Sequence, residues 1–489
     1  MKKSIVIGAG IAGIATSIRL AKKGYAVEVY ESNAYAGGKL SAFSSEGFRF
    51  DAGPSLFTMP QYVDALFELC DEDPRAHFTY HKKEIGCEYF WPDGTRLTAY
   101  SDQNRFLQEV EEKLNVAPTV VKKYLARAKE KFDLTAELFL ENSLHRWETF
   151  LTKNTIKALA RLPLFELNKS LAKVNTAQLK EPHLVQFYNR FATYNGSSPF
   201  QTPGIMTLVQ HLESEYGTFI PEGGMEQISQ SLFQLAKRQG VKFYFNQKVT
   251  EILHTKNKVT AVMVNKQKLL ADVIVSNMDI FPTYRFLLPK AKAPEKILAQ
   301  ERSSSAVIFY WGIQKQFPAL DLHNIFFSED YQAEFNAIFN EHTLYDDPTI
   351  YVNITAKDVP SDAPKGCENW FVMINTPADY EQDWETDIVS LRTKVLDKLE
   401  KRLNTSIRSH IVTEEVLTPP MIETKTQSHL GALYGASSNN KMAAFWRHPN
   451  FSREFNNLYF CGGSVHPGGG IPLCLLSAKI VSDQLASLT

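Results

Sequence analysis

The sequence predicts an α/β plus α+β fold assembled from more than one substructure. Three observations carry this expectation. The chain opens on a strand, a glycine-rich turn, a helix and a second strand, all within its first 31 residues. Residues 104–180 carry a helical pattern with few glycines. Short β-rich segments then alternate with helices, with no internal repeat and no low-complexity stretch. At 489 residues the chain also exceeds the size at which one core stops growing, so two or three substructures are expected.

The opening unit is read residue by residue. Ser4 to Ile7 is a short buried strand, and Gly8-Ala9-Gly10-Ile11-Ala12-Gly13 follows at once. A helical pattern runs from Ile14 to Lys23, Gly24 ends it, and Val27 to Tyr30 forms a second strand closed by Glu31. This is the context a GxGxxG match needs. Gly8 permits the tight turn. Gly10 lets backbone N–H groups approach a pyrophosphate, which a helix N-terminus attracts. Gly13 lets helix and strand pack closely. Glu31 is placed to accept hydrogen bonds from an adenosine ribose. The unit is therefore Rossmann-like and nucleotide-binding.

A second glycine turn bears on which nucleotide. Ala36-Gly37-Gly38-Lys39 and Phe50-Asp51-Ala52-Gly53-Pro54 follow the acidic residue, whereas an NAD-only dehydrogenase usually needs no such turn. Adjacent glycines allow close approach to a flat or charged ligand, which favours FAD, although a surface hairpin reads equally well on these residues alone. Near the end, Leu458 to Cys461 is a strand, Gly462 to Pro472 a glycine-rich turn, and Leu473 to Leu488 a helix. That turn lacks GxGxxG spacing. It reads as a loop laid against a cofactor held by the first unit, not as a second nucleotide fold.

The remaining elements are expected as follows. Ile220 to Gly224 opens a helix from Met225 to Arg238. Strands are expected at Val241 to Phe245, Val249 to Leu253, Val259 to Val264 and Val273 to Asn277. Ser304 to Gly312, Thr349 to Ile354 and Asn369 to Ile374 are β-rich, and Asp383 to Leu403 is an amphipathic helix. Leu144 to Lys173 carries apolar residues among basic ones, Pro163 dividing it into two helices. Such helices suit a membrane interface, and equally an ordinary solvated surface.

Composition narrows the classes. Hydrophobic residues at 44% and charged residues at 22% describe an ordered globular chain. A formal net charge of -1 gives no field for nucleic acid, so no nucleic-acid partner is expected. Cys70, Cys87, Cys367, Cys461 and Cys474 are widely spaced and form no CxxC pair, which argues for reduced thiols and against a metal site. The glycines of the opening turn exclude a signal peptide there, and no run of about 18 apolar residues marks a membrane span.

Gly8 to Glu31 followed by Gly37-Gly38 resembles the FAD-binding amino-oxidase superfamily, with Lys39 where that pattern usually has Arg. Phe191 to Pro199, Pro221 to Met225, Ala271 to Asn277 and His466 to Pro472 together resemble the phytoene-desaturase-type carotenoid desaturases. His323 to Ser328, Gly366 to Phe371, and Gly431 to Gly435 with Ser438-Asn439 are similar to the branch that adds a double bond at carbons 3 and 4 of 1-hydroxylated carotenoids. His323-Asn324 stands where the early-pathway enzymes tend to have a His-His pair.

The resemblance implies FAD held by Gly8, Gly10, Ile11, Ala12, Gly13, Glu31, Ser32, Gly38, Lys39, Gly53, Pro54, Ser55, Val249, Asn277, Gly463, Ser464, Gly470, Ile471 and Pro472. It implies residues 1–80, 220–280 and 455–489 as the FAD-binding domain. A discontinuous β-rich substrate domain would comprise 81–103 and 281–454, and a helical, membrane-contacting subdomain 104–219. It implies an apolar carotenoid substrate, a cytoplasmic protein peripherally associated with a membrane surface, and oxygen or a quinone as electron acceptor. His466 is the candidate catalytic base, because it sits in the flavin-side loop. Phytoene desaturases, carotenoid isomerases, amine or protoporphyrinogen oxidases and a non-enzymatic carotenoid carrier remain alternatives.

Overall fold

A computed structural model describes residues 2–151, 155, 157–158 and 161–488. The opening strand Lys3–Ile7 lies at the centre of a five-stranded parallel sheet. Its neighbours are Val273–Ser276 and then Leu458–Phe460 on one side, and Ala26–Tyr30 and then Lys242–Tyr244 on the other. Helices Ile11–Lys22, Glu226–Arg238 and Ile471–Asp483 cover one face through Ile14, Ile18, Leu232 and Ala478. The antiparallel sheet of Val249–Thr255, Lys258–Val264 and Gln267–Leu270 covers the other, where Ile252 and Val262 join Ile5, Ile7 and Ile274. A parallel strand buried on both faces reads as a continuous apolar run, which is why Ser-Ile-Val-Ile was informative.

A second, seven-stranded sheet runs in the order Ile411–Leu417, Ser305–Ile313, Glu368–Thr376, Ile350–Asn353, His323–Phe326, Ile85–Phe90, Arg96–Tyr100. Its side chains alternate, as a strand's period of two demands. Val307, Phe309, Trp311, Val352, Trp370 and Val372 pack with Val395 and Leu399 of the helix Trp384–Leu403. Ile308, Tyr310, Tyr351, Phe371 and Met373 face a large cavity instead. Asp383 caps that helix by accepting from the Thr386 N–H.

The region 103–189 is mostly helical, with Gln103–Leu114, Pro118–Ala136, Leu171–Leu179 and Pro182–Asn189. One expectation here fails. Leu144 to Lys173 does not form two amphipathic helices parted at Pro163. Trp147–Leu151 and Leu162–Phe165 are 3-10 turns, and Pro163 sits inside the second. Lys153, Ile156 and Leu159 lie outside the described residues. Leu144, Phe165 and Leu171 are buried, while Phe150, Leu151 and Leu162 are exposed.

Two boundaries also move. Phe219–Pro221 is a strand paired with Tyr80–Lys82, so the helix begins only at Glu226. The last helix starts at Ile471 with Pro472 in its first turn, where proline's missing N–H costs nothing.

Candidate functional site

The carboxyl ends of Lys3–Ile7, Ala26–Tyr30, Val273–Ser276 and Leu458–Phe460 open onto one cavity of about 1480 Å³. Open parallel sheets place their ligands at this edge. The volume exceeds the roughly 300–1,000 Å³ of a site for one drug-sized ligand.

Every predicted cofactor residue except Gly13 lines this cavity, and so does His466. Gly13 acts behind the wall: a Cβ there would stand 2.2 Å from the Gly8 carbonyl oxygen. Gly10, Ile11 and Ala12 present the start of the first helix. Gly470, Ile471 and Pro472 present the start of the last. The first N–H groups of a helix lack intrahelical partners and carry partial positive charge. Two such ends therefore converge on one space.

Glu31 is buried beside them. Its Oε2 accepts from the Ala9 N–H at 2.7 Å, and its Oε1 accepts from the Asn33 N–H at 2.8 Å and the Ser32 hydroxyl at 3.1 Å. The second glycine turn fits against the first, because a Cβ on Gly53 would lie 2.1 Å from the Lys39 carbonyl oxygen. Pro54 and Ser55 continue that wall, Gly463 and Ser464 lie opposite, and Val249 starts its strand at the rim. Asn277 serves as a clasp. Its Oδ1 accepts from the Gly13 N–H at 3.0 Å while its Nδ2 donates to the Cys461 carbonyl at 3.2 Å. Its side chain thereby ties the two glycine loops together.

Two cations stand in the same wall. Lys39 Nζ donates to the Leu433 carbonyl at 3.0 Å, and burial pushes its pKa down to about 8. Arg447 donates to the carbonyls of Ala436, Tyr434 and Gly463, and burial lowers it to about 10. Carbonyls do not neutralise a cation, so both retain charge for an anion. Converging helix ends, two cations and glycines that admit no Cβ fit a pyrophosphate-bridged dinucleotide.

His466 has a different setting. Its Nε2 lies 2.8 Å from the Asn142 carbonyl, and burial lowers its pKa to about 4. The ring is therefore neutral near pH 7 and donates through Nε2, which leaves Nδ1 as its acceptor nitrogen.

Beyond the glycine loops the cavity becomes apolar. Phe132, Phe139, Leu140, Met206 and Val209 line it from the helical region, opposite Tyr310 and Phe371 of the second sheet. Sequence reasoning missed a buried Arg190–Glu213 pair (3.1 Å) and Tyr351 in this part. No local motif marks them, since each comes from a different element. Asn324, by contrast, does not line the cavity. Its amide donates to the Asp321 and Val352 carbonyls and accepts from the Asp321 N–H, so it staples a turn. The His323-Asn324 pair is thus one cavity residue beside one structural residue. Among the described residues, no cluster of three His, Cys, Asp or Glu could hold a metal ion.

A family model described as flavin containing amine oxidoreductase matches residues 11–486. The chain belongs to this family. It is an FAD-dependent oxidoreductase with the family's mixed α/β architecture. A 1-hydroxycarotenoid 3,4-desaturase from Flavobacterium sp. (strain P99-3) is 55% identical over 485 residues, 99% of each chain. A 4,4'-diaponeurosporene oxygenase from Staphylococcus aureus (strain MSSA476) is 34% identical over 497 residues, 99% of this chain and 98% of the other. Among solved structures, cyclohexylamine oxidase from Brevibacterium oxydans superposes with a TM-score of 0.62 at 15% identity, covering 99% of this chain and 98% of that one. At that identity the likeness speaks for the fold alone.

Proposed function

We propose that the protein is a carotenoid desaturase that introduces a 3,4 double bond into a carotenoid hydroxylated at carbon 1. The observation that carries this reading is the single cavity, which joins a dinucleotide cradle to a long apolar chamber. The 55% identical desaturase supports the choice of substrate. In this reading residues 1–80, 220–280 and 455–489 hold FAD, 81–103 and 281–454 enclose the pigment, and 104–219 face the membrane.

Bound FAD supplies the acceptor for two electrons and passes them to oxygen or a quinone. The helix starts at Gly10 to Ala12 and at Gly470 to Pro472 hold the pyrophosphate, Lys39 and Arg447 balance its charge, and Glu31 binds the adenosine ribose. Gly13 and Asn277 keep these loops in register, Ser32, Gly38, Gly53, Pro54, Ser55, Gly463 and Ser464 shape the walls, and Val249 meets the adenine. The phenyl and aliphatic side chains of the chamber exclude water from the pigment. As hydride leaves one carbon, the neighbouring C–H becomes strongly acidic, and His466 Nδ1 takes that proton.

A weak base suffices for such a proton, and this has a pH signature. With a pKa of about 4, His466 is already in its accepting form throughout pH 5.5 to 8. The turnover number should therefore stay level over that range and decline only on approach to pH 4. A rate titrating near 6.5 would remove His466 from the role. His466→Ala should retain flavin and lose about 100-fold in turnover, within the usual range for a positioned base.

The assignment itself is tested with FAD-loaded protein in liposomes containing 1'-hydroxy-γ-carotene or phytoene. A red-shifted product from the hydroxylated pigment alone supports it. Coloured products from phytoene move the protein to the early desaturases, and anaerobic flavin that never bleaches with either pigment rejects turnover of both.

The same reading places the protein at the cytoplasmic surface of a membrane. Among the described residues no helix is long and apolar enough to cross one. Leu151 is 69% exposed and Leu162 46% exposed, with Arg161 and Lys169 nearby in sequence. Apolar side chains among basic ones suit a lipid headgroup layer. Leu151→Ser with Leu162→Ser should reduce co-sedimentation with anionic vesicles about tenfold or more, since each buried leucine contributes roughly 1.5–3 kcal/mol. Unchanged co-sedimentation would move the contact elsewhere.

A further inference from the structure

An apolar pigment requires no ion pair, yet its chamber contains one. Arg190 Nη2 meets Glu213 at 3.1 Å, and both side chains line the cavity. Arg190 also lies over the rings of Phe191 (4.5 Å) and Tyr89 (5.4 Å). Beside this pair runs a short polar chain. Ser55 Oγ lies 2.8 Å from the Tyr351 hydroxyl, which lies 2.7 Å from His323 Nδ1. Ser55, Tyr351 and His323 line the cavity as well.

The tautomer of His323 follows from its neighbours. Asn353 Nδ2 lies 3.2 Å from His323 Nδ1 and donates also to the Leu322 carbonyl at 3.0 Å. An amide nitrogen can only donate, so Nδ1 accepts. Burial lowers the imidazole pKa to about 3, so the ring is neutral and its one proton is on Nε2. That N–H has no hydrogen-bond partner among the described residues, and neither does Arg190 Nε. His323 is only 2% exposed. An unpaired donor at that depth costs about 1–3 kcal/mol, a cost that a ligand acceptor removes.

Resting on the desaturase assignment above, we infer that Arg190, Glu213, His323 and Tyr351 form a recognition subsite for the substrate's tertiary hydroxyl at carbon 1. The hydroxyl oxygen accepts from the His323 or Arg190 donor, and its proton has the Glu213 carboxylate as acceptor. Position along the cavity agrees. The hydroxyl carbon and the reacting 3,4 carbons are two and three bonds apart, so a group that grips the hydroxyl must stand next to the cofactor. Tyr351 does so through Ser55, in the second glycine turn. The subsite then selects the hydroxylated end and sets which bond reaches the flavin. A deoxy end group would leave these polar atoms unpaired, and sites of this kind reject analogues that lack the hydroxyl.

The test uses FAD-loaded protein and two carotenoids with the same polyene, one hydroxylated at carbon 1 and one not. Dissociation constants are read from quenching of protein fluorescence in detergent, and product spectra are recorded in parallel. Wild type should prefer the hydroxylated pigment by about tenfold or more. His323→Leu, and separately the charge-free pair Arg190→Met with Glu213→Leu, should cut that preference at least fivefold by weakening the hydroxylated pigment alone. Retained affinity for the deoxy pigment reports an intact fold, and His323→Gln, which keeps an N–H donor, should restore part of the preference. Equal binding of the two pigments by wild type, or a preference unchanged in both variants, overturns the subsite. Equal binding with a new double bond in both pigments would leave the desaturase assignment standing without it. Selective binding with no new double bond in either would keep the subsite and reject the desaturase assignment.

Discussion

Gly53→Ala protein is expected to purify without its yellow colour. The added Cβ would stand 2.1 Å from the Lys39 carbonyl oxygen and 3.0 Å from its carbonyl carbon. Both are backbone atoms, so no side-chain rotation relieves the clash. The turn around Lys39 must move, and with it the ammonium, whose bond to the Leu433 carbonyl fixes its place in the cavity wall. A displaced wall of this kind costs about 3 kcal/mol or more, which corresponds to at least about a hundredfold weaker FAD binding. Flavin content after dialysis, and a titration of apoprotein with FAD, measure the effect. Full retention of flavin would mean that the two glycine turns are not the cofactor's walls. Circular dichroism of the same preparations separates cofactor loss from unfolding.

Asp279→Ala is expected to lower thermal stability more than any surface change. Asp279 Oδ2 pairs with Arg302 Nη2 at 2.5 Å, and each side chain is only 6% exposed. Its Oδ1 accepts from the Phe281 N–H at 2.9 Å and so starts the short helix Ile280–Pro282. Truncation leaves a buried guanidinium without its counter-charge, and broken pairs of this kind cost about 3–5 kcal/mol. Replacing both partners by apolar residues, as Asp279→Leu with Arg302→Met, should recover most of the loss, because no unpaired charge is then buried. Differential scanning calorimetry on the FAD-loaded proteins distinguishes the two. A double variant no better than the single one would show that the hydrogen bond to Phe281, and not the charge, dominates.

The parts of the molecule legible in the sequence are those whose chemistry is local. Gly8 to Glu31 declare a turn, a helix start and an acid within one stretch, and a parallel strand buried on both faces needs little more than four apolar residues. The glycine loop at Gly462 to Pro472 was legible for the same reason. Contacts made across the fold left no such trace. Arg190 and Glu213 are 23 residues apart and separated by irregular chain, and Tyr351 comes from another sheet, so nothing in spacing joins them. Two readings failed for identifiable reasons. Apolar residues from Leu144 to Lys173 were assigned helical period across 3-10 turns, where residues three apart eclipse and a period of 3.6 does not apply. His323-Asn324 looked like one determinant, but neighbouring residues of a strand face opposite ways, and Asn324 belongs to the other side.

That alternation in the second sheet has a consequence for how the protein can change. Ile308, Tyr310, Phe371 and Met373 shape the chamber, while Val307, Phe309, Trp370 and Val372 bear on the helix Trp384–Leu403. Selectivity and thermal resistance are therefore inherited through interleaved but separate codons. Gene libraries confined to the chamber-facing positions can broaden the range of pigments accepted at little cost in folding yield, and natural drift along a pathway could follow the same route one residue at a time.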